Sequence, residues 1–425
     1  MSPGELAEPA GPVTSVAVVG ASAAGVAVAQ ALRAHGFEGT VALIDADHRL
    51  PYQRPPLSKA VLGTDPVEPP PIAPAQSYAQ HRIDLLLGQD VTAVLPGVGV
   101  RLADDRHLAG DRIVLATGVR ARTLDLPGAA LPGVQTLRDA EDAVRLRERL
   151  APGRPLVVVG ASFIGLEIAA MARRHGIEVT VVELAEHPLQ HAFGAEVGRL
   201  VEGLHLRRGV RFRFGVSVRE LGGDTAVREV VLTDGTVLAA STVVLGVGVV
   251  PRTELALGAG LEVDGQGIVV DAFGRTSDPR VWACGDVASQ PHPALAGRGR
   301  IEHWEVAVQH GAAVGASLAG HPTAFTGTPF AWSDQYEHTF QYFGRQLPGD
   351  DLVVRPGPGP DTFTALWLRG GTLRAVLGYG TPREVGAARR LLDAGHPVQA
   401  RDLAGDSDLR ALARDLDRRR TGQVA

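Results

Sequence analysis

The sequence predicts an α/β fold with two doubly wound domains and a smaller C-terminal α+β domain. Two glycine-rich turns carry most of this prediction: GASAAG spans Gly20 to Gly25, and GASFIG spans Gly160 to Gly165. Each turn ends an apolar run and begins an alanine-rich segment with helical periodicity, which is the strand–turn–helix context of a Rossmann-like dinucleotide site. The chain is therefore expected to bind two dinucleotides.

The residues of each turn have separate physical roles. The first glycine permits a tight turn, the middle residue must be small so that the backbone can approach a pyrophosphate, and the last glycine lets helix and strand pack closely. The middle residue is serine in both copies, which departs from the usual glycine but is small and can donate to a phosphate. The helix N-terminus adds a partial positive charge. The expected pyrophosphate-binding residues are Gly20, Ser22 and Gly25 in the first turn and Gly160, Ser162 and Gly165 in the second.

Each site also needs a carboxylate about 20 residues further on, to bind the adenosine ribose. The second copy supplies Glu183, and the Leu184 and Ala185 that follow provide no arginine for a 2′-phosphate, so NADH is favoured over NADPH. The first copy supplies Asp45 and, two residues later, Asp47. Spacing favours Asp45, and both stay candidates.

Composition excludes several classes of protein. A chain of 425 residues with a net charge of −5 predicts two or three domains and gives no indication of nucleic-acid binding. No charge-free apolar run is long enough to span a bilayer, so a soluble cytoplasmic protein is expected. The only cysteine, Cys284, rules out a disulfide framework and paired redox cysteines, and therefore the disulfide reductases. The scattered histidines predict no metal site.

An internal repeat defines the expected domains. VRLADDRHLAGDRIVLATG, ending at Gly118, and VVLTDGTVLAASTVVLGVG, ending at Gly248, each predict a hairpin with an acidic turn followed by an apolar strand. Because the final strand leads the chain out of its domain, the first dinucleotide domain is assigned to residues 1–118 and 250–326. The second dinucleotide domain is assigned to 119–249, and the C-terminal α+β domain to 327–425.

The returning segment from Gly267 to Ala288 predicts the end of the first domain. It places Gly285 and Asp286 at a helix start, where the carboxylate could bind a sugar-alcohol hydroxyl. A further helix is expected from IEHWEVAVQHG, with Trp304 in its first turn.

Lys59 is the sole lysine of the chain, and it ends the proline-rich segment PYQRPPLSK. A compact ammonium fits beside a ring where a planar guanidinium would be too wide. The prolines fix the backbone that leads to it, which indicates a positioned side chain.

The C-terminal part shows strand alternation and then helical periodicity from Pro382 and around DLRALARDLDRRR. A small antiparallel sheet followed by helices is expected. The Arg-rich tail with interleaved Asp is typical of a solvated helix face more than of a docking patch.

Six motifs occur in the order typical of one enzyme family. PYQRPPLSK, ATG (Ala116 to Gly118), GLE within GASFIGLEIAA, VWACGDVA, IEHWEVAVQHG and WSDQY resemble the FAD-containing, oxygenase-coupled NADH–ferredoxin reductases of the putidaredoxin reductase type. The resemblance covers nearly the whole chain and implies the pyridine nucleotide-disulfide oxidoreductase plan. More distantly, the chain is similar to rubredoxin reductases and apoptosis-inducing factor.

The resemblance also implies residue roles. FAD would be bound by the first turn with help from Arg54 and one of Arg120 or Arg122, and by Asp286 at its ribityl chain. The family's ion pair beside the flavin would be Lys59 with Glu167. The remaining positions implied by the family are Trp332 near flavin and nicotinamide, Trp304 near the flavin pyrimidine, and Asp47, not Asp45, as the first acidic residue.

The activity implied is hydride transfer from NADH to FAD, then single-electron transfer to an iron–sulfur ferredoxin that supplies a cytochrome P450 or a ring-hydroxylating oxygenase. Two alternatives stay open: an NADH-dependent reductase of rubredoxin, quinone or oxygen, and a non-catalytic NADH-sensing flavoprotein. A monomer or weak homodimer without nucleic-acid or membrane partners is expected.

Overall fold

The computed structural model describes residues 12–64, 66–405 and 407–420. The chain forms two compact units. Unit 1 runs up to Gln53 and adds Pro69–Arg120 and Val250–Pro329, and unit 2 contains Arg54–Glu68, Ala121–Val249 and the chain from Phe330 onward. The three-domain division stays a prediction. Among the described helices, none has both the length and the apolar character needed to cross a membrane.

The strands and helices follow in chain order. The strands before residue 122 are β1 (Ser15–Val19), β2 (Thr40–Ile44), β3 (Ile83–Leu86), β4 (Val91–Leu95), β5 (Gly99–Leu102), β6 (His107–Ala109), β7 (Arg112–Leu115) and β8 (Val119–Ala121). The next are β9 (Val134–Gln135), β10 (Leu156–Val159), β11 (Val179–Glu183), β12 (Arg211–Phe214), β13 (Val218–Gly222), β14 (Glu229–Leu232), β15 (Val237–Ala239), β16 (Thr242–Leu245) and β17 (Val249–Pro251). The last are β18 (Val263–Asp264), β19 (Gly267–Val269), β20 (Val281–Ala283), β21 (Ala288–Pro291), β22 (Arg298–Gly299), β23 (Phe330–Gln335), β24 (His338–Gly344), β25 (Asp351–Pro356), β26 (Phe363–Arg369) and β27 (Thr372–Tyr379).

The α-helices are α1 (Ala23–Ala34), α2 (Ala75–Gln80), α3 (Ala140–Arg149), α4 (Phe163–Arg174), α5 (Gln190–Leu206), α6 (Glu254–Gly258), α7 (Trp304–Leu318), α8 (Pro382–Ala394), α9 (Ala400–Leu403) and α10 (Leu409–Arg420). Short 3₁₀ helices occupy Pro55–Ser58, Ala60–Gly63 and Gly285–Val287.

Unit 1 is built on a parallel sheet with strand order β20-β7-β1-β2-β3. The central strands β1 and β7 are apolar and almost entirely buried, as parallel strands covered on both faces must be. Helix α1 packs along α7. A side chain at Gly311 would lie 2.3 Å from the Ala24 carbonyl oxygen, and one at Gly315 would lie 2.6 Å from that of Val28. The small residues of both helices therefore permit this close packing.

Unit 2 repeats the same sheet with strand order β12-β11-β10-β16-β9. The hairpins predicted before the final strand of each repeat are confirmed, because β5 pairs antiparallel with β6 and β14 pairs antiparallel with β15. The α/β fold predicted from the two glycine turns is confirmed.

The C-terminal part of unit 2 is a five-stranded antiparallel sheet in the order β23-β24-β27-β26-β25, followed by α8 and α10. Helix α8 begins with Pro382 and ends at Gly395, which adopts the left-handed conformation with a φ of 63°. A core that includes Leu366, Val376 and Leu391 joins the helices to the sheet. The predicted α+β organisation of this part is confirmed.

A helix begins at Gly285 and Asp286 as predicted, but it is much shorter than expected. These residues form a single 3₁₀ turn, Gly285–Val287, and the chain continues directly into β21. Strand β21 pairs with β19 and β22, so its backbone hydrogen bonds are made across a sheet and the helix cannot propagate.

Candidate functional site

The first glycine turn has the geometry of a phosphate cradle. Gly20 has a φ of +106°, and a side chain there would lie 2.4 Å from the Ala116 carbonyl oxygen. A side chain at Gly25 would lie 1.8 Å from the Gly20 carbonyl oxygen. Ser22 is the N-cap residue of α1, so the helix N-terminus begins at the turn. Because two of its positions exclude side chains, the turn leaves room for a pyrophosphate and fits a dinucleotide.

The second turn repeats this geometry in unit 2. Gly160 has a φ of +99°, and a side chain there would lie 2.4 Å from the Gly246 carbonyl oxygen. One at Gly165 would lie 2.2 Å from the Gly160 carbonyl oxygen. Ser162 is the N-cap of α4 and accepts a hydrogen bond from the Gly165 N–H at 3.4 Å. The residues of this turn fit a second dinucleotide equally well.

A carboxylate closes each turn in the same way. The Ala21 N–H donates to Asp45 Oδ2 at 2.5 Å, and the Asp47 N–H donates to Asp45 Oδ1 at 2.9 Å. In unit 2, the Ala161 N–H donates to Glu183 Oε2 at 2.7 Å. The Ala185 N–H donates to Glu183 Oε1 at 2.9 Å. Asp45 is therefore the structural equivalent of Glu183.

Asp47 has different partners. Its carboxylate accepts from the Arg49 N–H at 2.9 Å and from the Tyr52 hydroxyl at 3.2 Å. This geometry favours Asp45 over Asp47 as the ribose-binding carboxylate, and the contact with the ribose stays a prediction.

The other residues predicted for unit 1 lie at the ends of its elements. Asp286 is half-buried in the 3₁₀ turn after β20, and the Gly285 N–H beside it donates to His310 Nδ1 at 3.2 Å. Trp304 is the first residue of α7 and packs against the core of unit 1. Arg120 is exposed, with its Nε 3.7 Å from the Glu254 carboxylate.

In unit 2, the structure brings Lys59 and Glu167 together. Lys59 Nζ lies 3.2 Å from Glu167 Oε1, and only 4% of the Glu167 side chain is exposed. The Ser333 hydroxyl donates to Glu167 Oε1 at 2.6 Å, and the Ser58 hydroxyl donates to Oε2. Burial raises the pKa of the Glu167 carboxyl above its ordinary value, and the Lys59 ammonium and the two serine hydroxyls oppose this rise. The carboxylate and the ammonium therefore form a buried, hydrogen-bonded ion pair.

Trp332 joins the same cluster. Lys59 Nζ lies 5.5 Å from the centroid of the Trp332 ring, within cation–π distance. It also lies 4.0 Å from Asp334 Oδ2 and donates to the Pro55 carbonyl oxygen at 3.3 Å. The ammonium is thus fixed from several sides, as expected for a positioned lysine.

The two predicted arginines of unit 2 make hydrogen bonds to backbone carbonyl oxygens. Arg54 donates from Nη1 to the Arg138 carbonyl oxygen at 3.0 Å. Arg122 has an exposed side chain, and its backbone N–H donates to the Gly248 carbonyl oxygen at 2.9 Å. Their roles toward FAD stay predictions.

A cavity of about 540 Å³ in unit 2 opens beside the ion pair. Lys59, Glu167 and Asp334 line it together with Arg174 and His175, both of which are exposed. The ion pair therefore has an aqueous approach within unit 2.

Sequence reasoning missed Ser58 and Ser333. Ser333 and Gln335 occupy the fully buried positions of β23, and Trp332 and Asp334 alternate with them on the other face. Polar residues at the buried positions of an alternating strand are the signal that could have identified Ser333. Ser58 had only its position next to Lys59 to indicate a role.

Cys284 is completely buried, which raises the pKa of its thiol to about 12. The interpretation of this residue as a small core side chain is confirmed, since such a thiol is neither ionised nor accessible at neutral pH.

Two turns that fit dinucleotides, in two similar parallel sheets, define an oxidoreductase of the two-dinucleotide class. A family model described as pyridine nucleotide-disulphide oxidoreductase matches residues 14–311, and one described as reductase C-terminal matches residues 330–413. The chain belongs to the pyridine nucleotide-disulphide oxidoreductase family.

The chain is similar to reductases of oxygenase systems over nearly its whole length. It is 40% identical to rhodocoxin reductase of Rhodococcus erythropolis, with 95% of each chain covered. It is 38% identical to the ferredoxin reductase component of a chlorobenzene dioxygenase from Cupriavidus sp. (strain PS12), covering 97% of this chain and 100% of the relative. A solved putidaredoxin reductase, in covalent complex with putidaredoxin, superimposes with a TM-score of 0.88 at 34% identity, covering 94% of this chain and 98% of the other. The predicted resemblance to putidaredoxin reductase-type enzymes is confirmed.

Proposed function

We propose that this protein is an FAD-dependent NADH–ferredoxin reductase. The observation that carries the proposal is the duplicated turn, in which each glycine cradle is closed by its own carboxylate, Asp45 or Glu183. Two such cradles fit FAD and a nicotinamide dinucleotide in one chain. When both are bound, NADH reduces the flavin by hydride transfer, and the flavin passes electrons singly to a ferredoxin.

The residues of unit 1 suit FAD. Gly20, Ser22 and Gly25 would hold its pyrophosphate, Asp45 its ribose and Asp286 its ribityl chain. Trp304 begins α7, where the helix N-terminus favours negative charge. The unit 2 turn would then hold NADH.

The end of β11 supports NADH over NADPH. Glu183 accepts two backbone hydrogen bonds, so its carboxylate is fixed where ribose hydroxyls would lie. Leu184 follows it with 69% of its surface exposed, and it offers no charge to a 2′-phosphate. We infer that NADH is the physiological reductant.

Lys59 would stabilise the negative charge that develops during reduction. A fixed ammonium in a partly dehydrated site is a preorganised electrostatic group, which acts on rate more than on ground-state binding. Replacing Lys59 by alanine is expected to slow flavin reduction by NADH by about 10- to 100-fold and to weaken FAD retention less. Stopped-flow absorbance measures the reduction rate, and an unchanged rate would refute this role.

A small iron–sulfur ferredoxin is the acceptor that we propose, and a P450 or ring-hydroxylating oxygenase is its target. The similarity to a dioxygenase reductase component and to a putidaredoxin-bound reductase supports this choice. Because the reaction consumes NADH, we place it in the cytoplasm. A monomer or weak homodimer stays our prediction, and sedimentation velocity would measure it.

The function is tested by NADH-dependent cytochrome c reduction with and without added ferredoxins. We expect slow turnover alone and a large increase with a matching [2Fe–2S] ferredoxin. Turnover that depends instead on rubredoxin, quinone or oxygen would support the alternative reductases. A long-lived reduced flavin–NAD complex with negligible turnover would support an NADH sensor.

A further inference from the structure

A buried chain of hydrogen bonds leads away from Glu167 through unit 2. The Ser333 hydroxyl donates to Glu167 Oε1 at 2.6 Å, and Gln335 Nε2 donates to Ser333 Oγ at 2.9 Å. His205 Nε2 lies 2.8 Å from Gln335 Oε1, and the Tyr336 hydroxyl lies 3.0 Å from His205 Nδ1. Ser333, Gln335 and His205 are completely buried. The proposed reaction uses only the first member of this chain.

The chemistry of these groups determines the direction of every hydrogen bond. An ionised carboxylate only accepts, so Ser333 must donate to Glu167 and must accept from the Gln335 amide nitrogen. The Gln335 oxygen then accepts from His205, which requires a proton on Nε2 and leaves Nδ1 to accept from Tyr336. Burial lowers the pKa of His205 to about 4, so its ring is neutral at pH 7 and carries the single proton that this arrangement needs. All donors therefore point toward Glu167.

Several contacts fix Tyr336, which stands at the end of this series of hydrogen bonds farthest from Glu167. Tyr336 adopts a φ of 56° in the turn between β23 and β24, a conformation that residues other than glycine avoid. The Arg208 guanidinium lies 4.5 Å from the Tyr336 ring centroid. The Tyr379 hydroxyl donates to the Gln335 carbonyl oxygen at 2.9 Å. Such an unfavourable backbone conformation is maintained where surrounding contacts over-determine it.

The charged groups around Glu167 come from several elements. Lys59 is in direct contact, and Asp334 lies 4.0 Å from the Lys59 ammonium. Arg174 and His175 line the adjacent cavity. None of these four residues belongs to the series of hydrogen bonds that runs from Glu167 to Tyr336. The effect of that series on Glu167 can therefore be tested separately from the effect of these four charged groups.

We propose that Ser333, Gln335 and His205 are positioning residues that keep Glu167 ionised and thereby fix the Lys59 ammonium. They act through Glu167 and touch no reacting atom. The relation to catalysis rests on the proposed function, whereas the effect on Glu167 does not.

The single lysine makes a direct test possible. Lysine labelled with ¹³C at Cε gives one side-chain NMR signal, that of Lys59, and its shift changes when Glu167 takes up a proton. Removing a hydrogen bond to a charged group should move that midpoint upward by about one to two pH units. We expect this shift for Ser333→Ala in the holoprotein and a smaller upward shift for Gln335→Leu.

Thr364→Val is the matched control, because Thr364 is a buried residue of the same sheet whose hydroxyl bonds Thr381 at 2.7 Å. Its midpoint should equal that of the wild type. The wild type can unfold on acidification before Glu167 takes up a proton, in which case it shows no midpoint. A midpoint that is then observed in Ser333→Ala counts as the upward shift. Midpoints of Ser333→Ala and Gln335→Leu that coincide with that of Thr364→Val, or no midpoint in any of them, would overturn the proposal.

The His205 tautomer tests the same chain without altering it. In ¹⁵N-histidine spectra of the wild type at pH 7, the signal that disappears in His205→Phe should have the proton on Nε2. A proton on Nδ1, or on both nitrogens, would overturn the assigned direction of the hydrogen bonds from Tyr336 toward Glu167.

The acid limb of the pH profile of NADH oxidation should move with the NMR midpoint in Ser333→Ala. An acid limb that stays in place would show a structural role only and overturn the link to Lys59. Failure of ferredoxin reduction in the wild type would instead refute the proposed function and leave the NMR results intact.

Discussion

The two dinucleotide folds of this chain differ at one equivalent buried helix position. Two residues after the last glycine of the turn, α1 carries Ala27 and α4 carries Glu167, and both are buried. Helix α1 packs against α7, whereas α4 lies against β23 and the Pro55–Ser58 turn, which supply hydroxyls. The comparison teaches that the repeated turn builds the same scaffold twice, and that the neighbouring elements decide whether one helix position is core or site.

The copies also share a feature that supports the helix end. Arg33 in α1 donates to the Phe37 carbonyl oxygen at 2.5 Å, and Arg173 in α4 donates to the Ile177 carbonyl oxygen at 2.8 Å. Both arginines cap the loop that leads from helix to strand. The site therefore differs between copies while the scaffold under it does not.

The largest expected effect comes from introducing into α1 the buried carboxylate that α4 carries at the equivalent position. Ala27→Glu would bury a carboxylate without the ammonium that Glu167 has, and it should lower the free energy of unfolding by about 3–5 kcal/mol. Urea denaturation measures this change. Ala27→Gln is the control of equal size, and an equal loss for both variants would show that volume, not charge, is responsible.

Alanine substitutions in the two glycine turns should reduce stability almost as much, and by different amounts in the two turns. A side chain at Gly25 would lie 1.8 Å from a carbonyl oxygen, and one at Gly165 would lie 2.2 Å from a carbonyl oxygen. Both alanine variants should therefore lower the free energy of unfolding by about 3 kcal/mol, and Gly25→Ala should lower it more. Gly36→Ala is the control, because it has a φ of +81° and no atoms within 4 Å. Equal thermal stability of Gly25→Ala and Gly36→Ala would contradict this prediction.

The two carboxylates should separate the cofactors. Asp45→Asn should weaken FAD retention by about 10- to 100-fold and leave the KM for NADH unchanged, because a hydrogen bond to a charged group contributes about 1.5–3 kcal/mol. Glu183→Gln should raise the KM for NADH and leave FAD in place. Flavin release on dilution measures FAD retention, and steady-state kinetics measure the KM for NADH. A variant that weakened the binding of both cofactors equally would contradict this assignment.

The smallest effect, taken per pH unit, concerns acid stability, where the units behave alike. Burial lowers the pKa of His205 to about 4 in unit 2 and that of His310 to about 3 in unit 1. The unfolded chain binds these protons near pH 6.5 and the folded chain does not, so stability is present above pH 6.5 and is lost as the pH falls toward 4. Each histidine should contribute about 1.4 kcal/mol per pH unit in this window.

His205→Phe should reduce this slope, which urea midpoints between pH 6.5 and 4.5 can measure. The exposed His48 is the control, and His48→Phe should leave the slope unchanged. A slope that is the same in His205→Phe as in the wild type would contradict the prediction.

Much of the fold follows from local pattern. The glycine turns, the hairpins before β7 and β16, and the helix from Pro382 were predictable because each depends on residues close in the chain. The helix at Gly285 is shorter than predicted because β21 is held by pairing with β19, which lies about 20 residues earlier. Ser333 escaped notice because its burial depends on α4, far away in the chain.

The sequence by itself determined that two dinucleotide turns exist, where their carboxylates lie, and that one lysine stands at a proline-fixed position. These features are local, since backbone conformation and spacing express them within one strand–turn–helix unit. Only the tertiary structure decided that Asp45 matches Glu183 and that Glu167 is buried with three donors around it. It also decided that a chain of hydrogen bonds continues to Tyr336. The reason is physical: burial and hydrogen-bond partnership are properties of residues that the chain brings together from distant segments.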